Sequence, residues 1–198
     1  MNDDPNATHD ETAGARAELL RLARATIERY LTTGEGTPCQ TGDPWLQAPA
    51  AVFVTLRRRG PAGEVVHDPG SLRGCIGHIE ADRPLYVAVQ DAAIKAATID
   101  PRFEPVTPDE LPRLSIEISI LSPMRPLAGP DEVRLGRDGL LIVGKRHRGL
   151  LLPEVPLGFG WDEETFVTAV CRKAGLPDDA WRGDARLYAF TTEVIEET

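Results

Sequence analysis

The amino-acid sequence predicts an α+β fold, in which an antiparallel sheet is flanked by helices. Segments with the alternating pattern of strands and segments with the helical period both occur, but without the strand–helix–strand rhythm of a parallel sheet. Short turns rich in glycine and proline join neighbouring strands, as in antiparallel hairpins. Residues 1–11 have little apolar content, so we expect them to be a mobile segment, and residues 12–198 to form a single domain.

The pattern in the first third of the chain predicts one helix followed by β structure. Apolar residues recur at helical spacing from Ala13 to Leu31, and the glycines and prolines of residues 32–48 predict a long loop. Residues 51–56 are an apolar, β-rich run. A turn at residues 60–63 then predicts a return strand at residues 64–67.

The rest of the chain continues the mixed pattern. The cleanest strand is Leu114–Leu121, where serine and glutamate alternate with leucine and isoleucine. Asp162 has the position of a helix cap, and Gly175 followed by Pro177 predicts the end of that helix. The remaining predicted elements are a helix at 84–98, a turn at 100–103, two strands at 140–143 and 149–152, and a last strand at 187–195.

The stretch 72–80 carries the densest group of reactive side chains. It places the Cys75 thiol between Gly74 and Gly77, with Arg73 two residues before the thiol and His78 three residues after it. Glycines in a strand let a ligand or another backbone come close, and a nearby cation lowers the pKa of a thiol. The stretch therefore predicts a site with Cys75, Arg73 and His78 as catalytic residues and Gly74 and Gly77 as ligand-binding residues.

A structural interpretation of the same residues stays open. Small cysteines are common in protein cores, and strand glycines often mark only a bulge or tight packing. In a regular strand Arg73 and Cys75 share one face, whereas His78 and Glu80 share the other. His78 therefore reaches Cys75 only if Gly77 forms a bulge or ends the strand. The helix that starts at Pro84 adds to the thiolate hypothesis if its N-terminus lies near Cys75.

Charge and cysteine content indicate which partners and which cellular compartment to expect. The formal net charge is −9, which argues against a nucleic-acid footprint. The three cysteines are far apart and predict neither a disulfide framework nor a paired zinc motif, which favours a cytoplasmic protein. The first residues are acidic rather than signal-like, and no apolar run approaches the roughly 20 residues that span a bilayer. We predict no metal and no cofactor, because His78 and Glu80 alone do not define a metal site.

The motifs together resemble those of the AMMECR-type domain, whose bacterial and archaeal members are called AmmeMemoRadiSam system protein A. The resemblance runs from about residue 13 to residue 196, and its strength lies in the order of several motifs rather than in one of them. One departure is Glu154, where the family pattern often has glutamine. The matching segments are 72–77, 100–103, 114–122, 149–156, 161–162 and 171–176.

The resemblance implies a compact α+β fold with an antiparallel sheet, and a larger and a smaller lobe around a cleft. It also implies association with a Memo-like metalloprotein and with a radical SAM protein. The motif cysteine, here Cys75, has been regarded as a candidate active residue, but the resemblance supplies no established reaction.

Two hypotheses for function follow. In the first, the chain is a cysteine-dependent enzyme or modification-system component: Cys75 is the nucleophile for a small-molecule or protein substrate, Arg73 stabilises the thiolate and His78 moves a proton. In the second, the chain is a noncatalytic binding or scaffold protein of the same system. The sequence leaves open which of the two is correct.

Overall fold

The computed structural model describes the backbone of residues 5–198 and the side chains of residues 13–198. Over this range five α-helices and two four-stranded sheets form a mixed α+β fold, which confirms the predicted class. The chain divides into a larger compact unit, which extends to Ile120 and includes Val194–Thr198, and a smaller unit, Leu121–Glu193. Residues 1–4 of the predicted mobile segment lie outside the described residues, so mobility over residues 1–11 stays a prediction.

The helices and strands are, in chain order, α1 (Pro5–Thr33), α2 (Pro44–Gln47), β1 (Ala51–Arg58), β2 (Leu72–His78), α3 (Leu85–Thr98), β3 (Leu114–Leu121), β4 (Arg125–Leu127), β5 (Gly139–Val143), β6 (Arg148–Leu151), α4 (Val155–Phe159), α5 (Glu163–Lys173), β7 (Arg186–Phe190) and β8 (Thr192–Glu196). The first sheet has the order β2-β1-β3-β8, and the second has the order β4-β7-β5-β6, so the chain returns to the first sheet with its last strand. No helix within residues 5–198 is both long enough and apolar enough for crossing a membrane.

The core of the larger unit lies between one face of the first sheet and helices α1 and α3. Strand alternation sends six apolar side chains of β1 and β3 to this face, where all are buried: Val52, Val54, Leu56, Leu114, Ile116 and Ile118. The opposite face carries polar side chains that are also buried, and we call it the polar face; it includes Thr55, Ser115, Glu117 and Ser119. Fully buried core residues include Leu19, Ile27, Val52, Leu56, Leu85, Leu114, Ile116 and Ile118.

The smaller unit packs α5 against the second sheet. Phe166, Val170 and Cys171 of α5 are fully buried core residues. The Asp162 carboxylate accepts a hydrogen bond from the Thr165 backbone N–H (2.8 Å), as expected of the predicted N-cap. Gly175 has a φ of +68°, the left-handed conformation that ends many helices.

Three sequence predictions need correction. The predicted return strand at residues 64–67 does not form, since these residues lie in the loop between β1 and β2. The predicted last strand is two strands, β7 and β8, which belong to different sheets. The predicted loop 32–48 contains the short helix α2, because Asp43 caps its N-terminus by accepting hydrogen bonds from the backbone N–H groups of Trp45 and Leu46.

Candidate functional site

Strand β2 lies at the edge of the first sheet and carries the predicted site with an irregular register. Cys75 pairs with Thr55, and Gly74 pairs with Leu56, but the next pair along β1 is Arg57 with Leu72. Arg73 is therefore an extra residue on β2, a bulge that redirects its side chain. Because of this bulge, Arg73 and Cys75 do not lie on one face of the strand as regular alternation predicts. The irregularity of β2 is at Arg73, whereas the pairing at Gly77 is regular.

The Arg73 side chain is occupied away from the thiol. Its guanidinium donates to both carboxylate oxygens of Glu110, from Nε at 2.6 Å and from Nη2 at 3.0 Å. It also donates from Nη1 to the Glu104 backbone carbonyl (2.9 Å), and it lies over the Phe103 ring. These bonds lower the pKa of Glu110. Arg73 is only 5% exposed, so its contacts are those of a buried structural ion pair.

The Cys75 residue is held through its side chain and both backbone polar groups. The Thr55 hydroxyl donates to Cys75 Sγ (3.4 Å), since the two residues face each other across β1 and β2. At the open edge of β2, the Cys75 backbone N–H donates to Asp100 Oδ2 (2.8 Å) and the Cys75 carbonyl accepts from Arg102 Nη2 (3.2 Å). The turn at residues 100–103 thus takes the place that a further strand would occupy.

The predicted lowering of the Cys75 pKa is wrong. Burial raises the pKa of the Cys75 thiol above its ordinary value, and this effect outweighs the hydrogen bond from Thr55 and the positive charge of Arg102. The negative charges of Glu117 and Asp100 raise it further. The thiol form therefore predominates at neutral pH.

Helix α3 does not point its N-terminus at Cys75, contrary to the condition that the dipole argument required. A Cβ on Gly74 would collide with the Ala96 backbone carbonyl, which places the C-terminal half of α3 against the strand. Gly77 likewise lies against the Val52 carbonyl and the Phe53 ring. Both glycines permit close packing of protein on protein at the side where a Cβ would stand.

His78 lies on the other face of β2 from Cys75 and binds a carboxylate there. Its ring atom Nε2 hydrogen-bonds to Asp91 of α3. Asp91 also accepts from Lys95 Nζ at 2.8 Å, so the imidazole belongs to an ion-pair cluster on the helix. The regular pairing of His78 with Val52 keeps β2 extended to its end, and the structure does not bring His78 and Cys75 together.

The strongest electrostatic feature at Cys75 is the pair formed by Asp100 and Arg102. The Arg102 guanidinium donates to both Asp100 oxygens, from Nε at 2.9 Å and from Nη2 at 2.6 Å. Together with the Cys75 N–H, this pairing lowers the pKa of Asp100 to about 2. Asp100 is buried whereas half of the Arg102 side chain is exposed, so the cation that borders Cys75 faces solvent.

Comparison with known proteins identifies the family of this chain. The family model described as AMMECR1 matches residues 20–195. The chain belongs to the AMMECR1 family. Among its relatives, protein PH0010 of Pyrococcus horikoshii is 45% identical over 186 residues, which cover 90% of this chain and 88% of that protein. A protein of Methanothermobacter thermautotrophicus is 40% identical over 188 residues, covering 90% of this chain and 92% of the relative.

A solved structure agrees with the fold. The crystal structure of PH0010, described as an uncharacterized protein, matches with a TM-score of 0.83 at 44% identity and covers 90% of this chain and 89% of that chain. The sequence comparison and the structural comparison therefore identify the same fold over most of the AMMECR1-family chain.

Sequence reasoning missed several residues that surround Cys75 in this AMMECR1-family protein. The sequence predicts only a turn at residues 100–103 and assigns neither Asp100 nor Arg102 to the surroundings of Cys75. Thr55 interrupts an apolar run, and this interruption is the signal that could have identified it, because a buried polar side chain needs a partner. Glu117 stands at a polar position of the alternating strand β3, so no local signal distinguishes its buried side chain from an exposed one.

Proposed function

We propose that this AMMECR1-family chain serves as protein A of the AmmeMemoRadiSam system and acts in the cytoplasm with a Memo-like protein and a radical SAM protein. The support is the family membership together with the ordered motifs between residues 13 and 196. The absence of a disulfide pattern among the three cysteines agrees with a reducing compartment. The net charge of −9 argues against nucleic acid as a partner.

Within that system, the role that the geometry supports best is a noncatalytic binding component that presents the Cys75 segment to a ligand or partner. The observation that carries this proposal is that Arg73 and His78 are each bound to a carboxylate, Glu110 and Asp91, instead of acting on the thiol. A thiol nucleophile needs a neighbouring base or a cation that lowers its pKa. Burial instead keeps the Cys75 thiol protonated.

A cysteine-dependent enzyme is the second candidate, and one contact favours it. Arg102 is the cation whose charge lowers the pKa of Cys75, and its Nη2 reaches the Cys75 carbonyl at 3.2 Å. In this version Cys75 is the nucleophile and Arg102, rather than Arg73, is the group that stabilises its thiolate or an anionic substrate. The substrate is a small molecule or a protein.

Co-purification with the two partners tests the binding role. The chain is expressed with the tagged Memo-like and radical SAM proteins from the same genome. The variants are Cys75→Ala, Arg102→Ala and the matched control Arg172→Ala, whose exposed side chain binds Asp178 in the same bidentate way. We expect Cys75→Ala and the control to retain the complex and Arg102→Ala to weaken it. Absence of any complex with either partner for the unmodified chain overturns the proposal.

Alkylation of Cys75 separates the two candidates. The rate of iodoacetamide labelling is measured against pH by peptide mass spectrometry, with Cys39 and the buried Cys171 as internal references. A slow reaction with an inflection above the ordinary thiol value, roughly 8.5, supports the binding role. A fast reaction with an inflection well below that value supports the enzyme.

A further inference from the structure

The polar face of the first sheet carries two glutamates directly opposite each other on neighbouring strands. The hydrogen bond from the Glu197 backbone N–H to the Ile116 carbonyl (3.1 Å) sets the register of β8 against β3, which places Glu196 across from Glu117. Their neighbours Ile195 and Ile116 point into the core. Two like charges directly opposite on one face of a sheet are destabilising unless a positive group lies between them.

A histidine completes this group from the loop between β1 and β2. His67 Nε2 lies 3.4 Å from Glu196 Oε1, and His67 Nδ1 lies 4.0 Å from Glu117 Oε2. One ligand atom from each of the three residues falls within 4.8 Å of the other two. Glu117 is buried, whereas more than half of the His67 side chain is exposed, so one side of the group is open to solvent.

Two buried polar atoms that make no hydrogen bond belong to or border this group of three residues. Among the side chains of residues 13–198, two buried polar atoms make no hydrogen bond, Arg57 Nε and Glu196 Oε1. Arg57 Nε is 3.7 Å from Glu117 Oε2, too far for a hydrogen bond, and Glu196 Oε1 is the atom that faces His67. A buried carboxylate oxygen without a partner is rare and indicates an additional group that satisfies it, whereas Arg57 Nε is an N–H donor that a metal ion does not satisfy.

We propose that His67, Glu117 and Glu196 form a binding site for a divalent transition-metal ion, with Zn²⁺ as the reference ion. One imidazole nitrogen and two carboxylate oxygens are donors that such ions accept, and three protein ligands leave a fourth position for water or a bound ligand. The ion satisfies the unpaired Glu196 oxygen and neutralises the two opposed carboxylates. Arg57 stays beside Glu117, where its positive charge also offsets the charge of that carboxylate.

The alternative that the experiment must separate is a proton on His67. A protonated imidazole between two carboxylates also supplies a positive charge, and it does so without a metal. The two cases differ in one property: only the metal site takes up Zn²⁺ or Co²⁺ in stoichiometric amount.

Titration of the full chain with metal alone tests the site. After removal of metals with a chelator, Zn²⁺ binding is measured by calorimetry and Co²⁺ binding by its visible absorption, for the unmodified chain and for His67→Asn, Glu196→Gln and Glu117→Gln. His147→Asn, which removes an exposed histidine of the smaller unit, is the matched control. Cys75→Ser and Cys39→Ser exclude the thiols as the ligands.

We expect one ion per chain, bound equally by the control and by both cysteine variants, and weakened roughly 10- to 100-fold or more in each ligand variant. Circular dichroism verifies that each variant is folded; if Glu117→Gln fails to fold, His67→Asn and Glu196→Gln decide the result. The proposal is overturned if the unmodified chain binds no ion, if His67→Asn binds as tightly as the unmodified chain, or if a cysteine variant abolishes binding.

Discussion

The Asp100 carboxylate accepts a hydrogen bond from the Cys75 backbone N–H at 2.8 Å while it is paired with the Arg102 guanidinium. This contact ties the edge strand β2 to the turn that follows α3. It also links two motifs that lie 25 residues apart in the chain. Asp100 is 4% exposed, so its charge depends on these bonds rather than on water.

Asp100→Asn should destabilise the protein in a pH-dependent manner. The folded-state pKa of Asp100 is about 2, below the ordinary value, so the carboxylate contributes stability above the unfolded pKa. That contribution is about 2 kcal/mol, and it is lost as the pH falls from about 4 to about 2. Urea unfolding at neutral and acidic pH measures it. Asp178→Asn, which breaks an exposed pair with Arg172, should cost much less because solvent screens that pair, and equal losses in the two variants would contradict the prediction.

Arg102→Ala should make the Cys75 thiol less acidic. Burial raises the Cys75 pKa, and the Arg102 charge is one of the groups that oppose this effect. Without that charge the labelling rate of Cys75 at neutral pH should fall and its inflection should move to higher pH. Peptide mass spectrometry after timed iodoacetamide treatment reads this out, with Arg172→Ala as the control. An inflection that moves to lower pH would show that Arg102 acts on the thiol chiefly by covering it.

The sequence predicted most of the elements but not the contacts of the site. The alternation in β3 and the cap at Asp162 are local signals, and the structure confirms both. At the bulge, Arg73 pairs with Glu110, which lies 37 residues away, and a local pattern contains no information on that pairing. The same holds for His78, whose partner Asp91 comes from α3, a helix that the sequence predicts without indicating which of its residues face β2.

The split of the last predicted strand has the same origin. Residues that favour strands continue from Leu187 to Ile195, so the local sequence predicts one strand, but the residues before and after Thr191 pair in different sheets. Pairing partners are set by tertiary structure, which strand periodicity does not encode.

Arg73→Ala should act on stability rather than on thiol chemistry. Removing the guanidinium leaves the Glu110 carboxylate and the Glu104 carbonyl without their donor, which should cost about 3 kcal/mol in the free energy of unfolding. Arg73→Lys should recover only part of this loss, because an ammonium group cannot bind the carboxylate through two parallel hydrogen bonds. Denaturant unfolding measures both variants. If Arg73→Ala has normal stability but altered Cys75 labelling, Arg73 acts on the thiol and the prediction is wrong.

Gly74→Ala should test whether the glycine of the motif serves packing or ligand access. The added Cβ would collide with the Ala96 carbonyl of α3, a backbone atom that cannot move aside as a side chain can. Overpacking of this kind typically costs about 1–3 kcal/mol. Gly14→Ala is the matched control, because nothing lies within 4 Å of its Cβ position and alanine in a helix is favoured by up to about 1 kcal/mol.

Thermal unfolding of these two glycine variants gives opposite expected shifts, downward for Gly74→Ala and zero or upward for Gly14→Ala. The Cys75 labelling rate, measured on the same samples below the transition, distinguishes the causes. If α3 packing is the reason for the glycine, stability falls and labelling rises, because displacement of the helix exposes the strand. Unchanged stability with lost partner binding would show that the space at Gly74 is kept for a ligand.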